Sequence, residues 1–401
     1  MAQWCAMTET TSTEPGPLPD NPAERYRILR RDHPVSRQAG QPWRVARYAD
    51  VQRVLRDNTT FSSEVVPATV GADRAATMLF CDPPEHTRLR RLVSSAFSPR
   101  RIAQLREVIE RRSEELVSEM VGKEQPDLVY ELASPLPVTV IANMLGVGDG
   151  DIREFKRWSD AIFGNIGAIL FGRASADVIE AATAMDAYFR DRIDRFRKAP
   201  PENLLGQLIE VETDDGKLTD AELLSFCRLL LIAGNETTTG LIVGCVRVFH
   251  ELPETFAALK RDRSLIPTFV EETLRYYSPF SLTLRRVVKP IELSGQELPV
   301  GDIVLPLIAS ANRDDSVFER PDEFVIDRNP NPHLAFGFGV HTCLGATLAR
   351  LEGQIAVASL LDHLDEITLV DHDLAALSRL GGPRTLPVNI RAISKVTSRF
   401  Q

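Results

Sequence analysis

Apolar positions recur at helical spacing along most of the chain. From Ala23 the pattern runs through Tyr26 and Leu29. It returns over 48–55, with Asp50 placed to cap it, then over 102–122, 136–146, 151–165 and 177–199, where Pro200-Pro201 stops it. The longest pattern opens at Thr219 with Glu222 three residues on, the spacing of a capping box, and runs to about Glu251 before Pro253 ends it. At ~1.5 Å per residue this predicts roughly 45–50 Å of helix. Its centre, Leu229-Leu230-Leu231-Ile232-Ala233, is apolar on every side, as in a helix buried all round. Strand-like alternation is confined to short segments at 43–48, 287–288, 291–293 and 303–305, which with Gly295 and Gly301 predict a small antiparallel sheet. The stretch 61–80 has neither period and is long for a plain connection, so its apolar residues are candidates to line a site. Residues 1–21 read as a flexible tail, and 22–401 as one domain, mostly α with a small β region.

Composition narrows the class. Over 401 residues, 43% are hydrophobic and 26% charged, ordinary for a soluble globular protein. A formal net charge of −9 argues against nucleic acid as a partner. The five cysteines form no Cys-x-x-Cys pair and are odd in number, so neither a zinc site nor a disulfide framework is indicated and a reducing compartment fits. The N-terminus has no apolar signal core or span, so the protein is expected in the cytoplasm with no membrane partner. The glycines of 146–150 follow a helical pattern instead of a strand and do not make a dinucleotide loop.

Three stretches carry chemistry. In Phe336-Gly337-Phe338-Gly339-Val340-His341-Thr342-Cys343-Leu344-Gly345, a cysteine sits directly ahead of a helical pattern. The helix dipole and unsatisfied N–H groups there favour a thiolate suited to hold a metal, and Phe336, His341 and Arg350 are placed to contact a flat ligand. In the apolar central helix stands Ala233-Gly234-Asn235-Glu236-Thr237-Thr238-Thr239, whose acid and hydroxyls are costly unless paired. Glu272 and Arg275 lie one helical turn apart, as do His86 and Arg90 after Asp82-Pro83-Pro84.

The decapeptide with Cys343 resembles the haem-binding loop of the cytochrome P450 family, Phe-Gly-x-Gly-x-His-x-Cys-x-Gly, at every specified position. The run 233–238 is similar to that family's acid–alcohol pair, and Glu272-x-x-Arg275 to its structural clamp. These motifs, with 82–90 and 318–328, occur in order, and the likeness spans about 22–393. The resemblance implies a P450-type domain with haem b between the long central helix and the cysteine loop, Cys343 being the axial iron ligand. His86, Arg90, Arg285 and His341 would meet the haem propionates, and Ala233, Gly234, Thr237, Phe336, Gly337 and Gly345 would lie against the cofactor. Gly234 would leave room for O2, Glu236 would relay protons, and Thr237 would hold a hydrogen-bonded water. Arg328 or Arg320 would complete the clamp. The function implied is a monooxygenase, acting as a monomer on a small to medium hydrophobic molecule such as a terpenoid, steroid, fatty acid or polyketide. Electrons would come from NAD(P)H through a separate ferredoxin or flavodoxin and its reductase, docked near Arg88, Arg91 and Arg100. Substrate would be lined by Val65, Met78, Phe163, Ile166, Leu229, Ala233, Ser281 and Leu282, with a hairpin tip at 381–388. A peroxide-driven peroxygenase or decarboxylase, or a haem-based sensor, are the alternatives; the intact Glu236-Thr237 pair disfavours both.

Overall fold

The computed structural model describes residues 13, 18–65, 78–94, 97–165, 174–213, 216–370 and 383–393. Asn21 caps the first helix, α1 (Pro22–Asp32), by accepting from the N–H groups of Ala23 and Glu24, with Pro22 at the first position. Two short strands follow, β1 (Val35–Ser36) and β2 (Trp43–Val45), then α2 (Tyr48–Arg56) and β3 (Phe61–Ser62). Asp50 stands in the first turn of α2 and accepts from the Ser294 hydroxyl, so it does not cap. The helical pattern of 102–122 divides into α4 (Pro99–Gln104) and α5 (Arg106–Val121), behind α3 (Glu85–Ser94). Next come α6 (Pro135–Met144), α7 (Ile152–Phe163), α8 (Ala176–Lys198) and α9 (Leu204–Glu210), with a two-stranded β4 (Glu212–Thr213) and β5 (Gly216–Lys217).

The central helix α10 runs from Asp220 to Glu251, closed at its start by the capping box of Thr219 and Glu222. It is long and apolar enough to cross a membrane, but α6, α7, α8, α12 (Ile266–Tyr277) and α14 (Ala346–His363) pack around it. The helix α11 (Pro253–Arg261) lies between α10 and α12 in the chain. The main apolar core surrounds this axis, with Leu231, Cys245, Phe269, Ala356 and Leu360 fully buried.

The predicted sheet is only partly antiparallel. β6 (Arg285–Val287) and β9 (Ile303–Pro306) join β1, β2 and β3 in the order β1-β2-β9-β6-β3, and β2 runs parallel to β9. β7 (Ile291–Leu293) instead forms its own hairpin with β8 (Gln296–Leu298). Which strands meet depends on pairings such as Trp43 with Val304 and Phe61 with Val287, far apart in the chain, and local alternation carries no such information. A short α13 (Ile308–Ala311) precedes the cysteine loop, and β10 (Leu364–Leu369) pairs with β11 (Val388–Ala392). Two members of the expected tail are held: Thr13 exchanges hydrogen bonds with Arg37, and Leu18 packs with Leu29, Ala46 and Leu307.

Candidate active site

The cysteine loop is built by its own backbone. Gly337 N–H donates to the Leu334 carbonyl and Cys343 N–H to the Phe336 carbonyl, each at 2.8 Å. Gly339 has φ +77°, and a β-carbon there would stand 2.8 Å from the Leu55 carbonyl oxygen, so the loop lies directly on the end of α2. Gly345 then leads into α14. The Cys343 residue is exposed, yet burial pushes its thiol pKa up. The sulfur thus faces a recess walled by protein. With no cation at the sulfur, the Gly345 N–H, Arg90 and Arg350 favour the anion and desolvation opposes it. A cation bound at the sulfur would reverse that balance.

Around this recess gather four basic groups. The rings of His86 on α3 and His341 on the loop are 4.0 Å apart, and each has a buried Nε2 with no partner. Burial, then each other and the nearby arginines, lower the His341 pKa to about 3; burial, then Arg90, lowers His86 to about 4. Burial likewise brings Arg285 down to about 10 and lowers Arg90. Asp82 is the acid that opposes these shifts at His86 and Arg285, and one of its oxygens is taken by the Ser63 N–H. Desolvated arginines and orphaned ring nitrogens are costly unless a polar partner completes them, and a carboxylate would serve both. The residues therefore fit a ligand with carboxylates at its edge and a metal at its centre. Arg350, expected at that edge, is drawn to Glu271 at 2.7 and 2.8 Å and lies over the Phe336 ring.

The central helix supplies the other wall. It is not buried all round: Leu229, Ile232, Ala233, Glu236, Thr237 and Gly240 form a half-open stripe at helical spacing, and Ala233 is exposed. The Thr237 hydroxyl donates to the Ala233 carbonyl at 2.8 Å. Gly234 is partly exposed as well, and it also meets α6. A β-carbon there would lie 2.9 Å from Ile141 Cδ1, so the glycine admits α6 to close packing. The reason is angular: Gly234 stands about 100° round the helix from Ala233. Glu236 turns toward α7, and burial raises its carboxyl pKa to about 7.

Substrate-lining expectations divide. Val65 and Met78 are buried, Leu229 is partly buried and Ala233 open. Ser281 is partly buried and its carbonyl accepts from Ala309 N–H. Leu282 turns away, packing with Leu29, Ala46 and Leu307. The side chain of Phe163, Ile166, and 381–382 of the expected hairpin tip lie outside the described residues.

Below the loop, Glu272 and Arg275 are wholly buried and joined by two hydrogen bonds of 2.7 and 2.8 Å. Arg328 Nε reaches both Glu272 oxygens at 3.1 and 3.0 Å, whereas Arg320 pairs with Glu323. The Val325 N–H and Asn331, which sequence reading missed, also donate to Glu272. Glu352 on α14 was missed too. It is buried, its pKa is raised to about 8 by desolvation, and one oxygen has no partner. An acid on the apolar face of Leu351 and Ile355 was the available signal.

Residues 43–371 match the protein family described as "Cytochrome P450". Erythromycin C-12 hydroxylase of Saccharopolyspora erythraea is 38% identical over 371 residues, 90% of this chain and 92% of that protein. The structure of CYP109Q5 from Chondromyces apiculatus superposes with a TM-score of 0.86 at 39% identity, covering 94% of this chain and 96% of that one. CYP109E1 from Bacillus megaterium in complex with testosterone gives 0.82 at 36%, covering 92% and 99%.

Proposed function

The chain belongs to the cytochrome P450 family and is a monooxygenase, and from that premise we propose that it oxidises a small to medium hydrophobic molecule, by hydroxylation or epoxidation, in the recess between α10 and the Cys343 loop. The observation that carries this is the gathering of His86, Arg90, Arg285 and His341 beside an exposed Cys343, with two buried imidazole nitrogens left without a partner. Cys343 would hold haem b there, and that group would supply dioxygen activation for the oxidation of substrate. The protein's own residues have separate tasks. His86, Arg90, Arg285 and His341 bind and orient two carboxylates. Leu229, Ala233, Val65 and Met78 keep the space apolar and limit water. Thr237 holds a hydroxyl on the open stripe, and Glu236 stands beside it with a carboxyl that is still partly protonated at neutral pH. The Glu272–Arg275–Arg328 cluster holds α12 to the segment leading into the loop, without touching the reaction.

Electrons come from NAD(P)H through a separate ferredoxin or flavodoxin and its reductase, in a cytoplasmic setting, to a monomer. Of the arginines expected to meet that donor, Arg88 is withdrawn into pairs with Glu85 and Glu222. Arg91 and Arg100 are exposed and stay on the proposed docking face. The steroid in one related structure and the macrolide named for another relative set the range of hydrophobic substrates to screen. The test has two parts. The reduced, CO-bound protein should show the thiolate-shifted absorption band, and a C343H variant should lose it. Turnover with NADH, ferredoxin and reductase should then exceed turnover with hydrogen peroxide alone. The reverse ratio would favour a peroxygenase, and no shifted band would defeat the reading.

A further inference from the structure

Phe336, whose carbonyl accepts from the Cys343 N–H at 2.8 Å, is met by a charged cluster to which the reaction assigns no task. The Arg350 guanidinium carbon, from α14, lies 4.4 Å from the centre of the Phe336 ring. Glu271 on α12 places it there: Nε donates to one carboxylate oxygen at 2.7 Å and Nη2 to the other at 2.8 Å. Glu271 is fixed in turn by His333, whose side chain is only 3% exposed. The His333 Nδ1 accepts from the Ala335 N–H at 3.2 Å, so Nε2 carries the proton and donates to Glu271, 3.1 Å away. Burial works to raise the Glu271 pKa, but the hydrogen bonds from His333 and Arg350 hold it at about 2, so this acid stays ionised at neutral pH. The adjacent Glu272 is already matched by Arg275 and Arg328. One positive charge therefore rests on the loop residue that holds the cysteine's backbone, with one negative charge beyond it.

We propose that Glu271 is a positioning residue for the reduction step: it holds the Arg350 guanidinium on Phe336 and cancels its charge beside Cys343, keeping the reduction potential of haem bound there below the value Arg350 alone would set. The proposal rests on the reading that Cys343 holds haem. One electron leaves the donor protein, which is oxidised, and enters the bound group, which is reduced. No bond in the cluster forms or breaks, and no proton moves. A negative charge nearby opposes the arriving electron and a positive charge favours it, so the two members of the ion pair act with opposite signs. Their side chains are 36% and 28% exposed, which screens both. His333 acts only through Glu271.

The experiment is a spectroelectrochemical titration of the haem-loaded protein at one pH and ionic strength, on wild type, E271Q, R350Q, R350K and the E271Q/R350Q double variant. E271Q leaves the guanidinium uncompensated. It should raise the ratio of reduced to oxidised protein at fixed potential about tenfold, ~59 mV for one electron. R350Q should lower that ratio by a comparable factor, and the double variant should return close to wild type. R350K keeps the charge but loses the flat stack on Phe336, and should stay near wild type. A lesion of packing would instead move both single variants the same way without cancelling in the double. Single variants that move together or not at all, or an R350K displaced as far as R350Q, overturn the proposal. Haem content and the CO-bound spectrum of each protein report folding; should E271Q lose its haem, the comparison of R350K with R350Q and the double variant still decides. A wild type that takes up no haem would defeat the haem reading, whereas unmoved potentials in haem-loaded variants would defeat only the charge pair.

Discussion

Thr237 spends its hydroxyl proton on the Ala233 carbonyl one turn back, which leaves its oxygen free to accept on the open stripe. Replacing it by alanine should leave folding and substrate binding intact but uncouple the reaction. NADH consumption should continue while product per NADH falls about tenfold and released hydrogen peroxide rises, as assayed side by side. Glu236 sets a pH dependence of definite sign. Its pKa is raised to about 7, so the proton-carrying acid form predominates below that value. Coupling should therefore be highest at lower pH and decline as pH rises through about 7, with E236Q abolishing the inflection. At this scale the sequence is informative where chemistry is local: an acid and a hydroxyl within an apolar helix announce themselves. It is silent about the neighbour of Gly234, Ile141, which stands nearly a hundred residues earlier.

Among the elements, the contact of the cysteine loop with α2 and the clamp beneath it determine where Cys343 sits. Gly339 needs both its left-handed backbone and its bare α-carbon, since a β-carbon would strike the Leu55 carbonyl oxygen at 2.8 Å. Gly40 shares the backbone conformation, φ +73°, but has nothing within 4 Å. G40A should thus cost only about 1–2 kcal/mol of backbone strain. G339A should cost more and lower haem content of the purified protein, measured as the ratio of Soret to protein absorbance. In the clamp, E272A would leave Arg275 buried and charged without its carboxylate. It should destabilise the fold by about 3–5 kcal/mol in denaturant titration, more than loss of the partly exposed Arg88–Glu85 pair. The i,i+3 spacing made this pair legible, but an identical spacing at Arg320–Glu323 is merely a surface contact. Burial separates the two, and spacing does not report it.

For the molecule as a whole, α10 is the axis. Helices pack around it along its length, and an open stripe runs from Leu229 to Gly240. An acidic donor meeting Arg91 and Arg100 should reduce the iron more slowly as salt is raised, and R100E should weaken that dependence. Stopped-flow reduction at two ionic strengths checks this, and a rate indifferent to both changes would place the docking face elsewhere.

The sequence by itself determined the long capped helix, the helical character of most of the chain, and the ordered motifs that place the protein in its family. Those features depend on periods and spacings within one or two turns, which neighbouring residues control. Only the tertiary structure decided the strand order β1-β2-β9-β6-β3, the engagement of Arg350 by Glu271 and the packing of Gly234 on Ile141. Each of these joins residues far apart in the chain, where desolvation and close packing choose the partner. Local pattern holds no record of that choice.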